Sequence, residues 1–138
     1  MSSFKLKRFT FKFLSLISVI RGYNILILVF AQYLASIFIF SSKKTLRETV
    51  LDIDLLFIVL ATVCVVASGY IINNFYDVKV DRINRPLKSS LDNYVKQSTK
   101  LNLYFFLNFL GFFFGWFVSW KAAFFFALYI FGIWFYSH

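Results

Sequence analysis

Asn73, Asp77 and Asp81 recur every four residues through the string Asn73-Asn74-Phe75-Tyr76-Asp77-Val78-Lys79-Val80-Asp81. On a continuous helix that spacing makes one stripe of oxygen-bearing side chains, drifting about 40° per step and rising roughly 12 Å in all. Three such donors facing a bundle interior suit Mg²⁺, a hard cation that keeps several waters and is commonly completed by substrate phosphates. Arg82, Arg85 and Lys88 follow directly, where they can pair with diphosphate oxygens. Acids for a metal beside cations for phosphate form a set suited to ionising a diphosphate ester. The ordinary explanation of a bare D-x-x-x-D is a solvated helix end whose charges only set topology. Asn73, one turn deeper in the apolar run, and the unbroken continuation into Arg82-Ile83-Asn84-Arg85-Pro86 favour the chemical reading.

The elements that must carry this stripe are apolar runs. Hydrophobic residues are 60% of the 138 and charged residues 15%, where soluble globular domains run at roughly 45–50% and about 25%. A chain this short buries only about two thirds of its unfolded surface, so its 21 Phe exceed what one small water-soluble core can hide. The pattern predicts an all-α, polytopic membrane protein of four transmembrane helices, at 23–40, 55–76, 101–119 and 122–136. A tight turn at Trp120-Lys121 joins the last two as an antiparallel hairpin. Residues 1–21 read as a basic N-terminal arm and interfacial helix, with Lys5, Lys7, Arg8, Lys12 and Arg21 set among Phe and Leu. Residues 22–138 form the membrane domain.

The net charge of +9 is distributed along the borders of the apolar runs, which argues for lipid headgroups and against nucleic acid as the partner. The N-terminal segment has five cations and no acid, and the 77–100 loop sets Lys79, Arg82, Arg85, Lys88, Lys96 and Lys100 against Asp77, Asp81 and Asp92. The first loop is balanced, Lys43, Lys44 and Arg47 against Glu48, Asp52 and Asp54, and the third carries only Lys121. The positive-inside rule then puts both chain ends and the 77–100 loop in the cytoplasm. No small-residue cleavage pattern follows the N-terminal segment, so it is not read as a signal peptide. Cys64, the one cysteine, lies inside an apolar run and permits neither an internal disulfide nor a metal cluster. His138, the one histidine, receives no role.

At the aspartate stripe the sequence resembles the UbiA superfamily of membrane prenyltransferases. That family's first aspartate-rich motif reads N-D-x-x-D-x-x-x-D, commonly followed by R-x-N-x-P, against Asn73 to Asp81 and then Arg82 to Pro86 here. Gly69-Tyr70-Ile71-Ile72 is similar to the family's lead-in, and Arg21-Gly22-Tyr23-Asn24 keeps the Arg and Asn of its R-P-x-N without the Pro. The resemblance implies a helical bundle around a cavity open toward lipid. It implies transfer of a prenyl group from an allylic prenyl diphosphate donor to an aromatic or lipid acceptor, in quinone or isoprenoid-lipid biosynthesis. It also implies Mg²⁺ held by Asn73, Asp77 and Asp81, with Asp77 and Asp81 as the catalytic carboxylates. Asn74, Arg21, Asn24, Arg82, Arg85 and Lys88 complete the implied substrate-binding set. Membrane lipid is the implied surroundings, with a prokaryotic inner membrane as the expected location.

Two departures qualify the resemblance. Asn74 stands where the family usually has Asp, which removes one carboxylate. The family's second aspartate-rich motif, in a later cytoplasmic loop, has no counterpart before His138. The expectation is therefore the N-terminal half of a prenyltransferase, inactive without a complementing C-terminal half. Two other readings stay open: a catalytically inactive paralogue that captures prenyl diphosphate, and a small membrane interaction or transport subunit without diphosphate chemistry.

Overall fold

The computed structural model describes residues 2–40, 45–92 and 95–137, and every element among them is helical. Lys43, Lys44 and His138 lie outside the described residues, as do the side chains of Lys79 and Asp92. The helices are α1 (Ser2–Ile20), α2 (Gly22–Ala35), α3 (Leu46–Val50), α4 (Ile53–Tyr76), α5 (Val78–Asn84), α6 (Pro86–Asp92), α7 (Gln97–Val118) and α8 (Trp120–Ser137). A π-helical turn, Ser36–Phe40, prolongs α2. Four helices are long and apolar enough to cross a membrane: Gly22–Ile39, Ile53–Tyr76, Gln97–Val118 and Trp120–Ser137. The longest, at 24 residues, extends about 36 Å, enough for a hydrocarbon core of about 30 Å.

Local chemistry sets the boundaries. Thr45 and Glu48 form a capping box that starts α3: Glu48 N–H donates to Thr45 Oγ1 at 3.2 Å and Thr45 N–H to Glu48 Oε2 at 3.4 Å. Asp52 then caps α4, its Oδ1 accepting from Asp54 N–H at 2.9 Å and Leu55 N–H at 3.5 Å. Pro86 opens α6, where a missing N–H leaves nothing unsatisfied. Ser119 turns α7 into α8 in one extended residue, φ −168° and ψ 160°, and its hydroxyl accepts from Ala122 N–H at 3.1 Å.

Helix α4 is the most enclosed of the spans and packs against α7, α8, α1 and α2. Its buried stripe of Ala61, Val65, Ser68 and Ile72 follows helical spacing. Gly111 of α7 lies against that stripe so closely that a Cβ there would sit 2.5 Å from Val65 Cγ2 and 3.2 Å from the Ala61 carbonyl oxygen. One turn later Gly115 admits α8, where a Cβ would meet Phe126 Cδ2 at 2.8 Å. Small residues spaced in this way let membrane helices approach backbone to backbone. Ser68 hydrogen-bonds to Asn108 across the α4–α7 seam. Phe57 stacks on Phe114 and Phe117 at centroid distances of 5.8 and 5.7 Å. Gln32 Nε2 donates to Thr62 Oγ1 at 3.0 Å and ties α2 to α4.

The basic segment is helical from Ser2 onward, longer than the short interfacial helix expected after an arm. Its last turns are fixed: Ser15 and Val19 are buried, Val19 joins Ile71, Ile72 and Tyr104, and Lys88 of α6 donates to the Ser18 carbonyl at 3.3 Å. Phe105, Phe109, Phe113 and Phe117 of α7 and Phe124, Phe131 and Phe135 of α8 point outward. That surface is stable in lipid.

Gly111→Ala should destabilise the protein by about 1–3 kcal/mol, the usual penalty for overpacking against a stiff β-branched neighbour. Gly132, which has open space where a Cβ would go, should accept Ala without loss. Thermal unfolding of both variants in one detergent checks the contrast, and equal behaviour would refute the close seam.

Candidate functional site

The helical register runs through the stripe. Asp77 N–H donates to the Asn73 carbonyl at 3.0 Å and Asp81 N–H to the Asp77 carbonyl at 2.8 Å, although Asp77, at φ −94° and ψ 13°, opens a joint between α4 and α5. Asn73 and Asp77 line a cavity of about 390 Å³ with Arg21, Gly69 and Tyr70. Its opposite wall is the end of α8, presenting Tyr129, Ile133, Tyr136 and Ser137. Arg21, the close of α4 and the close of α8 therefore share one end of the bundle.

Arg21 is the cavity's cation. Its guanidinium carbon lies 5.3 Å from the centroid of the Tyr70 ring, a cation–π contact that aims it inward. The backbone at Arg21 is left-handed, φ 52° and ψ 60°, the only non-glycine residue with positive φ among those described. For an L-residue that conformation costs roughly 1–2 kcal/mol. It breaks α1 from α2, the first helix long and apolar enough to cross a membrane.

The other nominated residues go elsewhere. Asn74 is buried on the α4–α7 seam, where its Oδ1 accepts from Lys100 Nζ at 2.8 Å. Asp81 is half-buried and outside the cavity lining, and Arg82, Arg85 and Asn24 are exposed. Lys88 is engaged with Ser18. The structure thus brings together Arg21, Asn73 and Asp77 from the set read in the sequence.

Sequence reasoning missed Tyr129, Ile133, Tyr136 and Lys100. The first three lie four and three residues apart, one helical stripe that a search for tyrosines sharing a face would find. Lys100 stands among the loop cations in the sequence, yet it lies in the first turns of α7 and is fully buried. A lone cation inside the border of an apolar run was the available signal.

The donors at the cavity fit Mg²⁺ in its usual protein setting. Asp77 offers a carboxylate and Asn73 an amide oxygen, and Mg²⁺ needs only one or two carboxylates when waters and phosphate complete its shell. No group of three His, Cys, Asp or Glu that could hold a metal ion occurs among the described residues.

Among known proteins, the model of the UbiA prenyltransferase family matches residues 34–138, most of the chain. No curated protein and no solved structure matches.

Lys100→Met should cost about 1–3 kcal/mol by depriving the buried Asn74 amide of a partner. Unfolding in detergent measures it, and an unchanged midpoint would show that the pair adds nothing to the seam.

Proposed function

The chain belongs to the UbiA prenyltransferase family, and on that premise we propose that its cavity holds an allylic prenyl diphosphate for transfer to an aromatic or lipid acceptor. With four apolar spans it is an integral membrane protein. The polarity gradient along the cavity carries the reading. Arg21, Asn73, Asp77 and Ser137 lie at its mouth, while Val66, Tyr129 and Ile133 line it toward the membrane interior. Val66 precedes Asp77 by eleven residues, which along a helix is roughly 16 Å. A ligand with a charged head and a long isoprenoid tail matches that gradient.

Each residue then has a physical task. Arg21, braced by Tyr70, pairs with diphosphate oxygens and fixes the head. Asp77 and Asn73 would hold Mg²⁺, with Asp81 supporting them from the next turn, and the ion supplies charge neutralisation for the departing pyrophosphate. Tyr129, from the opposite wall, adds an aromatic ring to the lining, a group able to stabilise positive charge developing on the allylic carbon. Asn74, held by Lys100 outside the lining, bears on helix packing, so its replacement of the family's Asp does not strip the mouth of a ligand. The cations of α1, with Arg82, Arg85 and Lys88, favour a cytoplasmic mouth.

Binding of an allylic prenyl diphosphate to the purified chain in nanodiscs, with and without Mg²⁺, tests the proposal. Asp77→Asn combined with Asp81→Asn should weaken Mg²⁺-dependent binding at least about tenfold, or about 1.4 kcal/mol. Arg21→Gly should weaken binding while holding or raising stability, because glycine adopts the left-handed backbone freely. Metal-independent binding, untouched by the double variant, would end the assignment.

A further inference from the structure

A larger cavity lies away from the aspartate stripe. It has a volume of about 650 Å³ and opens between α1 and the start of α7. Phe4, Lys7, Arg8, Phe11 and Lys12 reach it from α1 at spacings of three, one, three and one, which is one helical face. Lys96 and Thr99 face them from the α7 side, above the buried Val95. Four cations thus converge from two elements, and no acidic side chain lines the cavity among the described residues. Their setting is apolar: Phe4, Phe11, Leu16 and Val95 form the rest of the wall.

We propose that this cavity is a binding site for the headgroup of an anionic phospholipid. Three observations converge on that occupant. The cations supply the charge and the hydrogen-bond donors that a phosphodiester takes, and basic pockets between helices at a membrane surface select anionic headgroups. Phe4, Phe11 and Leu16 give the glycerol and upper acyl chains an apolar wall beside the phosphate, which a free phosphate would not use. The cavity also lies at the correct depth. Lys100, one turn after Lys96, is bonded to Asn74 near the end of α4, and α1 docks through Ser18 on Lys88 of the adjoining α6. It therefore occupies the same bundle end as the aspartate stripe, where a span leaves the hydrocarbon. Cations that served topology alone would need no shared cavity. The α1 residues of the site precede the family-matched residues 34–138, and Val95, Lys96 and Thr99 lie within them.

The occupant's consequence is mechanical as well as electrostatic. A lipid seated here bridges the exposed half of α1 to the α7 start, while the buried residues of α1 among those described, Ser15 and Val19, lie in its last turns.

The test uses the full chain in nanodiscs of phosphatidylcholine containing a minority of phosphatidylglycerol, extracted into mild detergent, with retained lipid identified by mass spectrometry. Phosphatidylglycerol should be retained over phosphatidylcholine. Lys7→Gln, Lys12→Gln and Lys96→Gln together should reduce that retention about tenfold or more. Lys5→Gln, Arg47→Gln and Lys121→Gln, which remove equal charge outside the cavity, should leave it within about twofold. Equal retention of the two lipids by the unaltered chain overturns the proposal without reference to any variant. Equal loss in both triple variants also overturns it, since diffuse surface charge would then suffice. Displacement of phosphatidylglycerol by millimolar inorganic phosphate would assign the cations to free phosphate and overturn the lipid assignment.

Discussion

In lipid, apolar side chains gain little by leaving one apolar medium for another, so helices must be held by close packing and by polar ties. The seam between α4 and α7 supplies both. Gly111 lets the two backbones meet at Val65 and Ala61, and Ser68–Asn108 and Asn74–Lys100 fasten the seam at two depths. The rest of the bundle depends on that seam. Helix α8 hangs from α7 through the single residue Ser119 and is let in at Gly115, so its direction follows from the direction of α7. Its tyrosines face Asn73 and Asp77 because the seam sets both walls of the cavity.

For an amphiphile, such a cavity works with the bilayer. Lipid already orients a molecule having a charged head and an apolar tail, so much of the rotational freedom that binding ordinarily removes is gone before contact. On the proposed reading, the protein would have only to recognise the head at the correct depth. Few polar residues suffice, and few are present.

The spans were legible in the sequence because long uncharged apolar runs admit almost no other explanation. Their ends were less so. Helix α7 starts at Gln97 and not at Leu101, and Lys100 in its first turn bonds Asn74; a buried hydrogen-bonded cation looks like a loop cation until its partner is known. The four-residue recurrence of Asn73, Asp77 and Asp81 correctly gave a helical register. It did not tell which members face the cavity, since the stripe drifts around the helix and Asp77 sits at a joint. The opposite wall was hidden for a different reason: which face of α8 turns inward is fixed by its packing on α4 and α7. Arg21 was legible as a cation at a helix border, while its left-handed backbone was not, because the adjacent Gly22 is the residue that composition would choose for such a bend.

That choice has an evolutionary consequence. At position 21 the left-handed backbone favours glycine, while the residue present sets a long cation on Tyr70 in the cavity lining. Drift alone would move the site toward the smaller residue, since every such change relieves strain. An arginine kept at this position across relatives would record selection for its side chain over its backbone, and a glycine there would mark release from it.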